Sequence, residues 1–110
     1  MRALSDFEAA CVDYRGAIRQ TEVALRKSRR QLDQGKSVTE VLGQSGIAEY
    51  RSDLADKAKC AEDLRHRLRL ALIEAARQEG TSLGELARLW GLSRQLISRL
   101  AKEIGVKEDG

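Results

Sequence analysis

The chain has 110 residues, no proline, and a formal net charge of +3 from 20 Lys or Arg against 17 Asp or Glu. That length allows one ordinary domain, or a small domain with an extended arm. It leaves little room for a core, a substrate cleft and a catalytic constellation together, so no catalytic residue is expected. β-Branched and aromatic residues are few, while Ala, Leu, Arg, Glu, Lys and Gln dominate, so the expected fold class is all-α. No apolar run approaches the roughly 20 residues that span a bilayer, and Met1 to Asp6 lacks the apolar core of a secretory signal. The expectation is therefore a cytoplasmic protein with no membrane partner. Cys11 and Cys60 make neither a disulfide framework nor a metal quartet, and His66 sits among Arg65, Arg67 and Arg69 with no cysteine near it. No metal and no cofactor are expected.

The first element reads as one long helix from Leu4 to about Asp33, with Ser5 as its N-cap and Glu8 completing a capping box. Leu4, Phe7, Cys11, Tyr14, Ile18, Thr21, Leu25, Ser28 and Leu32 follow one another at alternating steps of three and four. That spacing is the seam of a coiled coil or a helical hairpin, and Ala10, Ala17 and Ala24 widen it. Gln34 to Gly46 is a connector in which Ser37 starts a short helix carrying Val38, Val41 and Leu42. Gly35 fits the C-cap before it and Ser45 the next N-cap.

A second long helix runs from about Ile47 to Gln78, with its seam at Ile47, Tyr50, Leu54, Lys57, Ala61, Leu64, Leu68, Ala71 and Ala75. Leu70, Leu72 and Ile73 broaden its apolar face near the end, so that end is expected to pack on the next unit. Both helices are too long for a globule of this size at about 1.5 Å rise per residue. They fold back as an antiparallel hairpin, pair with a second chain, or do both. Folding back sets Cys11 level with Ala71 rather than with Cys60, which argues against a disulfide between the two cysteines.

After Gly80, Thr81 or Ser82 caps a short helix, with Glu85 in the capping-box position. Leu86, Leu89 and Trp90 are expected to face a core, and Ala87 must be small if the next helix crosses close to it. Gly91 permits a left-handed turn, Leu92 plugs the core beneath it, and Ser93 caps a last helix that buries Leu96, Ile97, Leu100 and Ala101. Charge concentrates here. Residues 81–102 hold Arg88, Arg94, Arg99 and Lys102 against Glu85 alone.

The stretch 83–102 resembles the helix-turn-helix unit of bacterial transcription regulators and site-specific recombinases. The likeness rests on Leu86, Ala87, Trp90, Gly91, Leu92, Ile97 and Leu100, with Ser93-Arg94-Gln95 and Ser98-Arg99 where those families read DNA. The spacing and length of the two long helices, which the resemblance does not cover, lead to the expectation of a long antiparallel, coiled-coil-like helical hairpin over 1–79 that serves as a dimerisation arm. A compact helix-turn-helix over 80–104 and a flexible tail at 105–110 follow. The resemblance implies a bacterial or phage protein, nucleoid-associated, that binds double-stranded DNA sequence-specifically as a homodimeric transcriptional regulator. Its recognition helix, about 93–103, would enter the major groove.

Arg94, Gln95, Ser98 and Arg99 are then the expected base contacts. Thr81, Ser82, Arg88, Ser93 and Lys102, with Arg65 and Arg69, are the expected phosphate contacts. The alternative is a helical adaptor that binds another protein through the hairpin, with DNA contact secondary or absent.

Overall fold

A computed structural model describes residues 1–105, and these form five α-helices: α1 (Arg2–Asp33), α2 (Val38–Gln44), α3 (Ile47–Gln78), α4 (Leu83–Trp90) and α5 (Arg94–Glu103). The described residues contain no strand, so the fold is all-α. Of the tail expected at 105–110, everything after Gly105 lies outside the described residues. α1 begins at Arg2, which puts Ser5 inside the helix and not at its cap, contrary to the capping-box expectation. Ser37 does cap α2, its Oγ accepting the Glu40 N–H at 3.1 Å. Ser45 instead closes α2 as its C-cap. The carbonyl of Gly46 accepts the Tyr50 N–H at 3.1 Å, so Gly46 holds the α3 N-cap place, while the Ser45 Oγ expected there accepts the Ile47 N–H at 3.3 Å.

The chain divides into two compact units, one of Ser5–Asp63 and one of Met1–Leu4 with the residues from Leu64 onward. In the first unit α1 packs along α3. The face that α1 buries is built on Ala10, Ala17, Ala24 and Ser28, with Phe7, Tyr14 and Thr21 half-buried beside them. Two hydroxyls on that face are satisfied within the helix. Thr21 Oγ1 donates to the Ala17 carbonyl at 2.8 Å, and Ser28 Oγ to the Ala24 carbonyl at 2.9 Å.

The seam expected on α1 therefore splits. Phe7 and Tyr14 turn partly inward, while Leu4, Cys11, Ile18, Leu25 and Leu32 are exposed. Side chains that end at Cβ suit a helix–helix contact where space is small, and the alanine stripe is the part of α1 that is buried. Of the seam expected on α3, Ala61 is buried and Ile47, Tyr50, Leu54 and Lys57 are half-buried in this unit, while Leu68 is buried and Leu64 half-buried in the other. α2 contributes Val41, which is only 2% exposed.

The second unit has its own core. Ile73, Leu83, Ala87, Ile97, Leu100 and Ala101 are buried together, with Leu70, Leu86, Trp90, Leu92, Leu96 and Ile104 packed against them. Every apolar residue expected to form a core around the Gly91 turn joins this cluster except Leu89, which is 65% exposed. α4 turns Leu83, Leu86, Ala87 and Trp90 inward, and Leu89 lies roughly 110° round the helix from the middle of that face. The broad apolar end of α3 does pack here, through Leu70 and Ile73.

Gly91 ends α4 with φ 73° and ψ 22°, and its N–H reaches the Ala87 carbonyl. The Leu92 N–H reaches the same carbonyl at 3.1 Å, the double closure of a left-handed C-cap. A Cβ on Gly91 would meet nothing within 4 Å, so a substitution there costs conformation and not space. Gly91→Ala is expected to destabilise this unit by about 1–2 kcal/mol. A lower urea midpoint at unchanged slope is the readout.

Candidate nucleic-acid interface

Ser93 fixes where α5 starts. Its backbone is extended at φ −68° and ψ 148°, and its Oγ accepts the Leu96 N–H at 3.1 Å. Burial of Ile97, Leu100 and Ala101 then sets the rotation of the helix. That rotation brings Arg94, Gln95, Ser98, Arg99 and Lys102 onto one open concavity of ≈ 680 Å³. All four expected base contacts and one expected phosphate contact thus share a surface. Among the described residues its lining holds three cations and no carboxylate, and clustered positive charge attracts polyanions.

The acidic residue at the end of α5 is engaged elsewhere: Glu103 Oε2 lies 2.8 Å from His66 Nε2 on α3. This is where the structure places His66, an exposed partner linking α3 to α5.

Arg94 has a second neighbour that the sequence reading missed. A Cβ at Gly84 would lie 2.8 Å from Arg94 Nη1 and 3.7 Å from its Cζ. The guanidinium therefore lies over the first turn of α4, on a spot kept clear by a glycine. The available signal was a glycine inside a helix of eight residues, where it costs helix propensity.

The other expected phosphate contacts lie outside that lining. Ser82 caps α4, its Oγ accepting the Glu85 N–H at 3.1 Å. A capping hydroxyl used as an acceptor keeps its O–H to donate, so Ser82 and Ser93 can still serve a phosphate oxygen. The Thr81 carbonyl accepts from Arg77 Nη1 at 3.1 Å, which ties the end of α3 to the α4 entry. Arg88 lies 3.8 Å from Glu85 on its own helix, both side chains being exposed. Arg65 and Arg69 are half-buried on α3 and do not line the α5 concavity.

Among the described residues no cluster of His, Cys, Asp or Glu is placed to hold a metal ion, and Cys11 and Cys60 are free and exposed. No described helix is long and apolar enough to cross a membrane. No protein-family model, curated protein or solved structure matches the chain.

Proposed function

We propose that the chain is a small transcriptional regulator that binds double-stranded DNA sequence-specifically, as a homodimer, with α5 in the major groove. In this reading α4, the Gly91 turn and α5 are a helix-turn-helix unit braced by the end of α3. α1 and α3 are the arms of an antiparallel, coiled-coil-like hairpin. One observation carries the reading: Arg94, Gln95, Ser98, Arg99 and Lys102 line one open cationic surface on the helix whose other side is the core.

The chemistry of each side chain suits the groove. Arg94 and Arg99 offer the planar fork that pairs with guanine O6 and N7, and Gln95 offers the donor and acceptor that match adenine. Ser98 can serve either. Lys102 and Arg88 supply charge to phosphates, as do Arg65 and Arg69 outside the concavity. Thr81, Ser82 and Ser93 stand at helix starts, where hydroxyls and free N–H groups suit a phosphate.

Selection from random double-stranded DNA tests the proposal. The expected product is a site with two related halves roughly 34–36 Å apart, bound with an affinity that falls steeply with salt. Lys102→Ala is expected to leave the selected sequence unchanged and to flatten the dependence of log K on log salt by about one. Failure to enrich any sequence sinks the DNA reading and leaves the adaptor reading.

A further inference from the structure

α1 carries a second regular pattern on the side that α3 does not cover. Leu4, Cys11, Ile18, Leu25 and Leu32 recur every seven residues and are all exposed, Ile18 at 45% and Leu25 at 55%. Glu8, Arg15, Glu22 and Arg29 fall between them, also exposed, also every seven residues, and alternating in sign. Together they make an unbroken three–four seam in which apolar and charged positions alternate. A seven-residue repeat drifts by about 20° per heptad on a straight helix, so this row winds as the contact line of a left-handed helix pair does. At its far end Leu25 and Leu32 line an apolar cavity of ≈ 270 Å³ with Val38, Val41, Leu42 and Ile47. The apolar surface therefore continues from α1 onto the helix tip.

The order of the charges names the partner and its direction. A parallel copy in register would set Glu8 against Glu8 and Arg15 against Arg15. An antiparallel copy turned about an axis beside Ile18 sets Glu8 opposite Arg29 and Arg15 opposite Glu22, and the symmetry makes each pair twice. The same turn brings Cys11 and Leu25, and Ile18 and its own copy, to within one residue's rise, about 1.5 Å, of direct opposition. We infer that α1 is the dimer seam of this protein and that it pairs antiparallel with α1 of a second copy. Glu22 already meets Arg26 of its own helix at 3.0 Å, on the exposed surface, and can accept from both sides. Charged positions inside such a seam weaken it and select its orientation, because the wrong pairing faces like charges. The inference rests on the homodimer part of the proposed function and not on its DNA contacts.

Cross-linking reads the orientation directly. In a full-length Cys60→Ser chain, Leu25→Cys is expected to give an interchain disulfide to Cys11 on mild oxidation, mapped by mass spectrometry. The two positions cannot join within one helix, where about 21 Å separates them. The Cys60→Ser chain with Cys11 alone is expected to stay uncrosslinked. A Cys11–Cys11 dimer there means parallel pairing and overturns the inference.

Sedimentation supplies the second arm. The wild-type chain is expected at about twice its 12.2 kDa mass, and Ile18→Asp at the single mass with unchanged helix content. Glu8→Arg is expected to weaken the dimer about tenfold, and Glu8→Arg with Arg29→Glu to restore it. A wild-type monomer at high micromolar concentration, or an Ile18→Asp dimer, overturns the inference. DNA selection separates the two readings. If the seam is right, Ile18→Asp still enriches a single half-site. If only the DNA reading is wrong, the wild-type dimer forms and enriches nothing.

Discussion

The Arg94→Ala, Arg99→Ala double variant will stay folded and lose specific DNA affinity by about a hundredfold or more at fixed salt. Each good bidentate pair to a base is worth about 1–3 kcal/mol of discrimination, and every 1.4 kcal/mol is tenfold in affinity. Both side chains are exposed, and neither belongs to the buried cluster beneath α5, so the helix has no reason to melt. Fluorescence anisotropy on the selected site, with circular dichroism on the same samples, reads both halves of this result. Binding within about twofold of wild type, at full helix content, removes α5 as the reader.

The lysine exchange sharpens the test. Arg99→Lys keeps the charge and loses the planar fork. A base-reading Arg99 loses its preference at one position of the site while binding to random DNA persists. An Arg99 that only holds a phosphate keeps the preference.

Ile97→Ala is the larger test of the fold. Ile97 is wholly buried in a cluster of six buried residues among those described. Truncating such a residue costs about 2–5 kcal/mol, the transfer term plus the cavity left behind. A unit this small has little stability in reserve, so the loss is expected to release α4 and α5 at ambient temperature. Amide exchange is expected to accelerate across α4, α5 and the Ile73 stretch of α3. Leu89→Ala is the matched control. Leu89 is 65% exposed, and a surface change of this kind stays within about 0.5 kcal/mol. Equal effects of the two variants would mean that the rotation of α4 is wrong.

The local chemistry of this chain was legible, and its close contacts less so. Ser37, Ser82 and Ser93 announce helix starts because a hydroxyl before an apolar pattern meets free N–H groups wherever the chain goes next. Gly91 announces its turn for an equally local reason. The outward set Arg94, Gln95, Ser98, Arg99 and Lys102 follows once Ile97 and Leu100 are placed inside.

The face of α1 did not follow. Ranking by hydrophobicity puts the bulk of Ile18 and Leu25 at the centre of a seam, yet Ala10, Ala17 and Ala24 are the part that is buried, because side chains that end at Cβ suit a helix–helix contact where space is small. Leu89 misled for a related reason. An apolar residue in an eight-residue helix has a weak phase signal, and Leu83 and Trp90 settle the phase only through their partners. Gly84 beneath Arg94 joins residues from two different helices, and the glycine inside α4 marks the spot without naming the side chain that covers it.

The alanine face of α1 also has a thermal consequence. The buried residues of Ser5–Asp63 are Ala10, Ala17, Ala24, Ser28, Val41 and Ala61, a set with a single branched apolar side chain. The heat capacity of unfolding follows newly wetted apolar area and averages about 12–15 cal/mol/K per residue in ordinary domains. A unit whose fully buried apolar residues are mostly alanines wets less of it per buried residue, and its heat capacity of unfolding is expected below that average. Its enthalpy of unfolding then changes little with temperature, and its stability curve is shallow and wide. Over the range in which a cell warms and cools, such an arm gains and loses little, while the Ile73 and Ile97 cluster follows the steeper curve of a core rich in branched side chains.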